Sequence, residues 1–584
     1  MTETYQSFQL ALYCTAGCLN KSEEQLAEEM AFFFRHLKVG KVYIENHRGD
    51  TSLSRERLEE LKAFFLSLGL EVAGGITPTL GTSYRPGYER ILGGICYTDE
   101  ASRARLREAA ETAAAVFDEV ILDDFFFTNC TCDDCRTRKG ERSWEEFRLA
   151  LMAEVSENVI IRPAKAVNPN VKVIIKYPNW NESFASAGYN TEQQPTLFDG
   201  IYTGTETRDP AISQQHIPRY ASYSLMRWME NLDPGRNGGG WFDAYDCTYT
   251  DYYLEQANLT AFSKARELTL FCYHLLLDHP YVPALGFQLD KLDDVTARLG
   301  EPIGALVYKP HHARGEDHLY DLLGMAGIPL ELTPFFPDAS KSARTLLLSA
   351  PAAADEAILE KLKGYLQEGG HAVMTSGFVS AMAERGITEL VPIQLTGASL
   401  TAEQYALETG ICSFQEFYPA SRSIRYPVLD FGTNATWQEI VAWQGPTNFP
   451  ILLSNPYGRG KIYTLVIPEH PADLLHLPEA VITRIRSVFT EGLLPFRLIG
   501  PGDAGVFAYD NSRFVLESFA PHTSTWKVQV PPGTELHQLT PVKNAPPLRE
   551  TAVLADGLRE YAIQLPPSTY AVYEWADSSS RSTK

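Results

Sequence analysis

The alternation of strand and helix patterns that begins at the N-terminus constrains the fold of this chain more than any other feature. The segment "FQLALYCT" is apolar and predicts a strand. The segment "SEEQLAEEMAFFFRHLK" after it has the apolar spacing of an amphipathic helix, with Ser22 as its N-cap. The next unit repeats this order, with "KVYIENHR" as a strand and "SRERLEELKAFFLSLG" as a helix that ends at Gly69.

Six further strands follow with helical patterns between them. They are "EVAGGITP", "DEVILDDFFF", "KVIIKYPNW", "DGIYTGTET", "GGGWFDAYD" and "LTLFCYHLL". Eight strands interleaved with helices over about 280 residues match a (β/α)8 TIM barrel in both count and length. A doubly wound sheet is the alternative, but eight consecutive units favour closure into a barrel. We place this barrel at residues 1–300.

The pattern restarts near Glu301 with shorter units such as "GALVYKP" and "EDHLYDLLGMAG", which predict a smaller α/β domain at 301–497 with a parallel sheet. This segment contains no G-x-G-x-x-G motif, P-loop or nucleophile elbow, so we interpret it as a structural or interaction domain. From 498 onward, short alternating runs such as "RFVLESFA" and "TYAVYEW" predict a small β-sandwich at 498–577. The polar tail 578–584 is predicted to be disordered.

Composition and charge exclude several classes of partner. The chain has 584 residues, a net charge of −22 and a pI near 5.1. An acidic field argues against nucleic acid or an anionic membrane as the main partner, and it is compatible with a neutral sugar. We find no leader peptide and no apolar run that approaches about 18 residues. Nine scattered cysteines do not resemble a disulfide framework, so we expect a cytoplasmic location.

Candidate functional residues cluster at the ends of the predicted strands, where (β/α)8 enzymes have their active sites. The set combines carboxylates, aromatic rings and polar donors, which is the composition that a sugar site requires. These residues are Glu45, His47, Arg48, Asp123, Asp124, Lys176, Asn179, Trp180, Glu206, Arg208, Trp241, Asp243, Asp246, Tyr273 and His274.

Two carboxyl groups of this set are predicted to cleave a glycosidic bond. Alternation along a strand predicts that only one of Asp123 and Asp124 enters the barrel mouth, as nucleophile or base. If both face the site, their repulsion raises one pKa and produces a general acid; a carboxylate that merely caps the loop is the other interpretation. Glu206 is the predicted general acid/base, unless it only pairs with Arg208. Asp243 is the alternative to Glu206, and its role is either catalysis or hydrogen bonding to substrate.

The remaining residues of the set are predicted to bind substrate, either by holding hydroxyls or by stacking on the sugar ring. They are Glu45, His47, Arg48, Lys176, Asn179, Trp180, Arg208, Trp241, Asp246 and Tyr273.

Four cysteines have the spacing of a structural metal site. Cys130, Cys132 and Cys135 form a C-x-C-x-x-C motif in the loop after the fourth strand, and Cys96 lies in the neighbouring loop after the third. Four thiolates suit tetrahedral zinc and leave no open coordination position, so the role of the zinc would be structural. Four reduced cysteines that stabilise a loop without metal are the alternative. We expect no cofactor for catalysis.

The order of the predicted domains resembles that of glycoside hydrolase family 42 β-galactosidases. The segment "ICYTDEASRARLREAAE…DEVILDDFFFTNCTCDDC" is similar to that family's zinc-binding stretch, and "ALVYKPHHARGEDHLYDLLGMAG" resembles its amidotransferase-like trimerisation domain. The resemblance implies a structural zinc, a homo-oligomer (dimer or trimer) and galactosidase-like action on a small oligosaccharide or glycoside. It also makes the middle domain flavodoxin- or amidotransferase-like.

The motif departs from family 42 at the catalytic positions. That family carries an Asn-Glu pair on strand four, with the Glu as acid/base, and a Glu nucleophile on strand seven. This chain has Asp123 and Asp124 on strand four and no Glu in "GGGWFDAYD". Carboxylates on strands four and six instead resemble the α-galactosidase clan, in which the strand-four Asp is the nucleophile. We therefore predict a glycosidase of a distant or separate family.

Two rival functions remain open from the sequence. A non-catalytic carbohydrate-binding or sensing protein on a degenerate barrel would bind sugar without turnover, and the number of acids at the strand ends argues against it. A metal-dependent hydrolase would use barrel carboxylates with His47 or His274, but the chain lacks paired histidine ligands.

Overall fold

A computed structural model describes residues 3–79, 94–339, 344–410 and 413–577. These residues form two compact units that divide after Arg298, with Pro218–Tyr220 grouped with the second unit. The tail 578–584, predicted to be disordered, lies outside the described residues. Within the described ranges, every helix is too short or too polar to span a lipid bilayer.

The first unit is built around a ring of eight parallel strands. In chain order they are β1 Gln9–Cys14, β2 Lys41–Arg48, β3 Glu71–Thr77, β4 Glu119–Leu122, β5 Lys172–Tyr177, β6 Gly200–Gly204, β7 Asn237–Asp243 and β8 Glu267–Phe271. Each strand pairs with the next, and β1 pairs with both β2 and β8, where Tyr13 stands opposite Tyr43 and Phe271. The sheet is therefore closed, and the prediction of a (β/α)8 barrel is confirmed.

Helices follow the strands and cover the outside of this barrel. They are α1 Glu23–His36, α2 Arg55–Ser67, α3 Glu100–Val116, α4 Asp133–Lys139, α5 Trp144–Val155, α6 Arg162–Val167, α7 Phe184–Ala187, α8 Gln194–Leu197, α9 Ala221–Leu232, α10 Thr250–Phe262, α11 Tyr273–Leu276 and α12 Tyr281–Thr296. Ser22 caps α1 in a reciprocal capping box with Gln25, as its position in the sequence indicates.

The interior of the barrel is packed with aromatic and aliphatic side chains. Tyr13, Tyr43, Tyr202 and Trp241 form one buried cluster, together with Ala11, Ala73 and Ile121. The ring centroids of Tyr13 and Trp241 are 4.5 Å apart. This layer separates the two ends of the barrel.

The end of the barrel where the strands begin holds a buried charge network. Lys41, the first residue of β2, lies 2.6 Å from Glu119 and 3.0 Å from Glu267, the first residues of β4 and β8. Tyr43 and Tyr202 donate hydrogen bonds to Glu267 at 2.6 and 2.9 Å. Each charge is therefore paired, which buried ions require.

Two predicted strands are shorter than the sequence patterns suggest. Strand β4 ends at Leu122, so Asp123 and Asp124 lie in the turn that follows, where strand alternation no longer applies. Strand β8 ends at Phe271, and "YHLL" forms the short helix α11. The prediction of a strand through Tyr273 and His274 is therefore wrong, because these apolar residues pack as a helical turn.

The second unit begins with a doubly wound sheet. Its elements are β9 Ala305–Tyr308, α13 Leu319–Met325, β10 Leu330–Thr333, β11 Thr345–Leu348, α14 Ile358–Gln367, β12 His371–Thr375, α15 Ser376–Ala381, β13 Ile393–Gly410, β14 Ser413–Phe431, β15 Trp437–Gln444, β16 Thr447–Tyr457, β17 Gly460–Leu465 and α16 Glu479–Thr490. The parallel part has the order β10-β9-β11-β12-β17, which is the flavodoxin-like order. Strands β16, β15, β13 and β14 extend it in antiparallel fashion.

The C-terminal part of the second unit is a β-sandwich. Its strands are β18 Arg497–Ile499, β19 Ala504–Tyr509, β20 Arg513–Ser518, β21 Ser524–Val530, β22 Thr534–Gln538, β23 Arg549–Val553, β24 Arg559–Leu565 and β25 Tyr570–Asp577. They form the sheets β19-β20-β25-β22 and β18-β21-β24-β23, and the short strand Pro302–Ile303 joins the first of these. Side chains from both sheets, including Trp526 and Phe514, share one core, so the predicted β-sandwich is confirmed.

Candidate active site

A cleft of about 710 Å³ opens at the carboxyl ends of the barrel strands. Most of the residues singled out in the sequence line it: Arg48, Asp123, Asp124, Lys176, Asn179, Trp180, Glu206, Arg208, Trp241, Asp243 and Asp246. A larger cavity of about 890 Å³ lies in the second unit and is lined by a single carboxylate, that of Glu491. The chemistry therefore points to the barrel cleft.

Lys176 is the centre of the acidic cluster. Its ammonium lies 2.5 Å from Oδ2 of Asp124, 2.8 Å from Oε1 of Glu206 and 3.6 Å from Oδ1 of Asp123. It also lies over the ring of Trp241, 4.4 Å from the centroid. Because three carboxylates surround this buried ammonium, the pKa of Lys176 is raised although burial opposes the charge. Lys176 therefore stays protonated.

Both acids of the strand-four pair face the site. The expectation that only one of them enters the barrel mouth is wrong, since both carboxylates lie within reach of Lys176 from the turn after β4. The side chain of Asp123 is only 2% exposed, whereas that of Asp124 is 17% exposed. Asp124 is therefore the member of the pair that a ligand in the cleft can reach more easily.

The two neighbouring carboxylates have opposite pKa shifts. Burial by itself would raise the pKa of Asp123, but Lys176 and Arg48 outweigh it and hold that pKa below its usual value. Burial raises the pKa of Asp124 to about 7, and the charges of Asp123 and Glu206 reinforce this against Lys176. Asp123 is thus ionised at neutral pH, and Asp124 is poised between its two protonation states.

Glu206 follows β6 and is held in a close-fitting position. Its Oε1 accepts from Lys176, while its Oε2 is buried and has no hydrogen-bond partner within the described ranges. Burial raises the pKa of Glu206; Lys176 opposes this shift and the nearby Asp243 carboxylate adds to it. A buried carboxylate oxygen without a partner is costly in a stable protein and is typical of a functional site.

Asp243, at the end of β7, is paired with Arg208. The guanidinium makes two parallel hydrogen bonds to it, of 2.9 Å from Nε and 2.6 Å from Nη2. The ion pair that the sequence suggested for Arg208 therefore exists, but with Asp243 and not with Glu206. Arg208 has a φ of 56°, a left-handed backbone conformation that non-glycine residues seldom adopt.

Glu45 lies beneath the cleft and does not line it. Its carboxylate accepts hydrogen bonds from Tyr13, from the backbone N–H of Ala16, and from Thr77 and Arg48. Nη2 of Arg48 in turn lies 2.9 Å from Oδ2 of Asp123. Glu45 is therefore a positioning residue for Arg48, and its predicted contact with substrate has no support in this geometry.

His47 and Tyr273 also do not line the cleft. A β-bulge between Glu45 and His47 breaks the alternation of β2, so His47 faces outward and its ring bonds Ser52 at 2.8 Å. Tyr273 sits on helix α11, where its hydroxyl donates to Glu29 of α1. The structure places neither side chain in the cleft, so it gives no support to the prediction that these two residues bind substrate.

Several aromatic residues of the cleft were missed in the sequence. Phe125, Phe127, Tyr245 and Phe271 line it, and the side chain of Tyr245 is 45% exposed. The run "DDFFF" directly after the paired acids was a usable signal for the first two. Trp241 is 1% exposed and packs against Tyr13 and Phe271, so it forms the floor of the cleft. The exposed ring of Tyr245 is the better platform for stacking.

The four cysteines come together beside the loop that carries the acids. Their sulfurs all lie within 4.8 Å of one another, and all four residues are buried. Cys96 lies 3.6 Å from Cys132 and 3.7 Å from Cys135. Tetrahedral zinc with Zn–S bonds of about 2.3 Å requires sulfurs that are about 3.8 Å apart, so the residues present fit the ion. The Oγ1 of Thr98 lies 3.1 Å from Cys96 and 3.2 Å from Cys135.

Comparisons with known proteins agree with this architecture. Residues 1–287 match the family "Probable glycosyl hydrolase, catalytic domain", 300–470 match "Uncharacterized protein SSO3021, second domain", and 495–575 match "Probable glycosyl hydrolase, C-terminal domain". The uncharacterized protein SSO3021 of Saccharolobus solfataricus is 26% identical over 512 residues, which cover 80% of this chain and 82% of that protein.

Solved structures with a similar fold include β-galactosidases. The enzyme from Bacillus circulans sp. alkalophilus aligns with a TM-score of 0.66 and 12% identity, covering 98% of this chain and 100% of its own. Gan42B, a family 42 β-galactosidase from G. stearothermophilus, aligns with a TM-score of 0.63 and 11% identity, covering 98% and 99%. At this identity the likeness establishes the fold. The chain thus has the fold of these family 42 β-galactosidases, and its residues 1–287 and 495–575 match the catalytic and C-terminal domains of the probable glycosyl hydrolases.

Proposed function

We propose that this protein hydrolyses glycosidic bonds with Asp124 as general acid/base and Glu206 as nucleophile. The observation that carries the proposal is the Lys176 ammonium, which contacts both carboxylates in one cleft. A glycosidase needs one protonated and one ionised carboxyl group on either side of the scissile bond. The glycosyl hydrolase family of residues 1–287 supports this class of reaction.

The assignment of roles follows from the two pKa shifts. The pKa of Asp124, at about 7, leaves a substantial protonated fraction at neutral pH, as a general acid requires. Burial raises the pKa of Glu206, but its hydrogen bond from Lys176 favours the ionised form that a nucleophile requires. This order reverses the roles given from the sequence alone, in which Glu206 was the proton donor. Asp124 also stands where family 42 has its strand-four acid/base.

The spacing of the two carboxylates favours retention of configuration. Since Lys176 lies 2.5 Å from Asp124 and 2.8 Å from Glu206, the two contacted oxygens can be no farther apart than these distances together. This limit applies to one oxygen of each group, and such close approach is compatible with the carboxyl separation of about 5–5.5 Å that is typical of retaining glycosidases. The reaction would then proceed through a glycosyl ester on Glu206.

The other charged groups prepare the cleft for this chemistry. Asp123 and Lys176 fix the charge around Asp124, and Arg48 holds Asp123 in place. The pair of Arg208 and Asp243 borders the other side of the cleft and can donate and accept hydrogen bonds to sugar hydroxyls. Tyr245, Trp180, Phe125 and Phe271 offer apolar faces for the ring.

A zinc ion held by Cys96, Cys130, Cys132 and Cys135 would have a structural role, since four thiolates leave no open coordination position. The ion would fix the loop that follows Asp124. This loop is also tied down by protein contacts: Thr128 N–H donates to the carbonyl of Ala187 at 2.9 Å, and Tyr189 donates to the carbonyl of Asp124. The loop therefore holds Asp124 in its position at the edge of the cleft.

A homo-oligomer, dimer or trimer, is part of the proposal because of the resemblance of the middle domain to a trimerisation domain. The antiparallel extension of that domain carries two exposed aromatic side chains, Phe417 and Trp437, each 50% exposed. Light scattering on the purified protein tests the oligomeric state, and a monomer at micromolar concentration would contradict this part of the proposal.

The test of the proposed function is a panel of α- and β-linked nitrophenyl glycosides, with galactosides first. Asp124→Asn and Glu206→Gln should each lower turnover by at least about 10³-fold while the far-ultraviolet spectrum stays unchanged. A 2-fluoro glycoside of the reactive sugar should label Glu206, as read by peptide mass spectrometry. Labelling of Asp243 would move the nucleophile to strand seven. Sugar binding without turnover on any glycoside would favour a carbohydrate-binding protein and overturn the proposal.

A further inference from the structure

Four basic side chains line the barrel cleft, and Arg148, at one end, differs from the other three. Arg48, Lys176 and Arg208 are each paired with carboxylates: Arg48 with Glu45 and Asp123, Arg208 with Asp243, and Lys176 with three acids. Arg148, on helix α5, also lines the cleft. Within the described ranges it has no carboxylate partner.

The hydrogen bonds of Arg148 all go to neutral backbone oxygens. Its Nη1 donates to the carbonyl of Ser186 at 2.7 Å, and its Nη2 donates to the carbonyl of Asn129 at 3.2 Å. The guanidinium lies over the ring of Trp144, 5.1 Å from the centroid. These contacts fix the direction of the guanidinium without neutralising its charge.

Further polar groups beside Arg148 also lack partners. Nε of Arg148 and Oδ1 of Asn129 are both buried and have no hydrogen-bond partner in the part of the chain that the structure describes. Ser183 and Ser186 line the same end of the cleft. The Ser186 hydroxyl already donates to the carbonyl of Ser183 at 2.9 Å, and Oδ1 of Asn129 is an acceptor, so the donor that suits an oxyanion here is the partly desolvated guanidinium of Arg148.

The nearest other charges account for the placement of Arg148 but not for its lack of a carboxylate. Burial lowers the pKa of Arg148, and the charges of Cys135, Cys130 and Glu145 oppose this shift without outweighing it. Zinc thiolates behind the loop would favour a cation here, yet Arg148 donates to carbonyls and not to sulfur. Nη1 and Nη2 each donate one of these hydrogen bonds, and each keeps a second N–H for a ligand in the cleft that Arg148 lines.

We infer that Arg148 forms a subsite for a negatively charged group, so that the substrate is a glycoside bearing a carboxylate, sulfate or phosphate. This inference rests on the proposed function and specifies its substrate class. The anion can be carried by the leaving group or by the sugar ring itself. Arg148 holds the backbone of Asn129, in the loop that continues from Asp124, so the leaving-group side is the first position to test.

The experiment compares matched chromogenic substrates on the full-length protein. One arm uses nitrophenyl glycosides with a carboxylate on the aromatic ring against the same compounds as carboxamides. The other arm uses nitrophenyl uronides against the corresponding hexosides. We expect the wild type to prefer the anionic member of one arm by about tenfold in kcat/KM, as one partly screened charge-assisted contact allows. Arg148→Gln should remove the preference, and Arg148→Lys should retain part of it.

The matched control is Arg136→Gln. Arg136 lies on α4 in the same cysteine-rich segment and its Nε donates to the carbonyl of Thr131 at 2.8 Å, but it is exposed and does not line the cleft. It should leave the preference unchanged. Zinc content measured on each variant separates a local loss of charge from damage to the loop. Equal loss of activity on anionic and neutral substrates in Arg148→Gln would indicate a structural role and overturn the inference.

A binding measurement keeps this inference separate from the proposed function. Calorimetric titration of Asp124→Asn with the carboxylate and carboxamide glycosides reports the preference without turnover. Tighter binding of the carboxylate compound, lost when Arg148→Gln is added, supports the subsite even if the wild type hydrolyses nothing. Turnover by the wild type with no preference for an anion in either arm would leave the glycosidase intact and overturn the subsite.

Discussion

Gly204 lies directly against the carboxylate of Glu206. A Cβ atom at position 204 would be 2.5 Å from Oε2 of Glu206 and 3.0 Å from the backbone nitrogen of Asn179. The first of these contacts is shorter than real Cβ atoms show, so the last residue of β6 must be glycine for Glu206 to occupy its present place. We therefore expect Gly204→Ala to displace Glu206 and to lower kcat by at least about tenfold.

Gly200→Ala in the same strand is the matched control for that variant. Its Cβ would meet the nearest atoms at 3.5 and 3.6 Å, which is ordinary van der Waals contact. Steady-state kinetics of both variants on the same glycoside provide the test. Equal activity of Gly204→Ala and wild type would mean that the position of Glu206 is not critical to the reaction.

The pKa of Asp124 should determine the basic limb of the activity profile. With its pKa at about 7, the proton on Asp124 is lost near neutral pH, so kcat/KM should fall as the pH rises through about 7. The measurement is kcat/KM from pH 4 to 9 on a substrate with a poor leaving group, which needs the acid. A profile that is flat through pH 7 would exclude Asp124 as the proton donor.

The raised pKa of Asp124 should also lower the stability of the folded protein at high pH. A carboxyl group whose folded pKa is raised contributes stability at low pH, and this contribution is lost as the pH rises from about 4 to 7. Asp124→Asn, which cannot ionise, should therefore be more stable than wild type above pH 7 by roughly 1–3 kcal/mol. The gain should vanish towards pH 4. Urea denaturation at both pH values tests it, and a gain that is independent of pH would refute this explanation.

Lys176→Met should change the pKa values of all three neighbouring carboxyl groups. Lys176 lowers the pKa of Asp124, Glu206 and Asp123, so its removal should raise all three. Buried acids with raised pKa values favour the folded state at low pH, so the variant should lose stability as the pH increases above about 5. Activity should fall by orders of magnitude. Thermal unfolding at pH 5 and pH 8 measures the sign, and greater stability at pH 8 would contradict it.

The cysteine cluster should bind about one zinc ion per chain, and the bound ion should stabilise the barrel unit. Removal of zinc with a chelator, or Cys132→Ser, should lower Tm and should reduce activity through the loop that follows Asp124. Cys247→Ser, which removes a thiol outside the cluster, serves as the control. Elemental analysis of purified protein gives the metal content. Metal-free protein with unchanged Tm after chelation would favour four reduced cysteines.

Arg486 should be essential to the second unit. This arginine of α16 is 2% exposed and donates to the backbone carbonyls of Ala326, Gly500 and Pro501, with no carboxylate partner among the described residues. Arg486→Met leaves buried carbonyls without donors and should cost about 3 kcal/mol. Arg422→Met removes the ion pair of Asp473 with Arg422, whose side chain is 51% exposed, and should cost less than about 1 kcal/mol. Similar denaturation midpoints for the two variants would contradict this role.

The fold could be predicted from the sequence because its signals are local and repeated. Each strand and helix of the barrel has its own apolar period, caps such as Ser22 mark the helix starts, and eight consecutive units leave closure as the simplest arrangement. The parallel sheet of the middle domain and the β-sandwich followed from similar periods, whereas the flavodoxin-like character came from the family resemblance. The antiparallel hairpin of β13 and β14 carried no comparable signal, because much of it is exposed.

The candidate site could be predicted in composition but not in orientation. Asp123 and Asp124 both face the cleft because β4 ends at Leu122, whereas the predicted strand "DEVILDDFFF" runs on to Phe127. The bulge at Glu45 and His47 directs Arg48 inward and His47 outward, and a single inserted residue of this kind leaves no mark on the apolar pattern. Tyr273 was predicted at a strand end but lies in a helical turn. The reason is similar, because the end of a strand depends on pairing partners far along the chain.

The buried network of Lys41, Glu119 and Glu267 has a consequence for how this barrel can change over evolution. It holds the starting ends of β2, β4 and β8 together, and a layer of aromatic rings separates it from the cleft. The contacts that hold the strands together and the residues of the cleft thus lie at opposite ends of the same strands. Loops at the reactive end can be exchanged, lengthened or re-charged while the anchoring end keeps the strands in register. A descendant of this chain could acquire a new substrate without first acquiring a new scaffold.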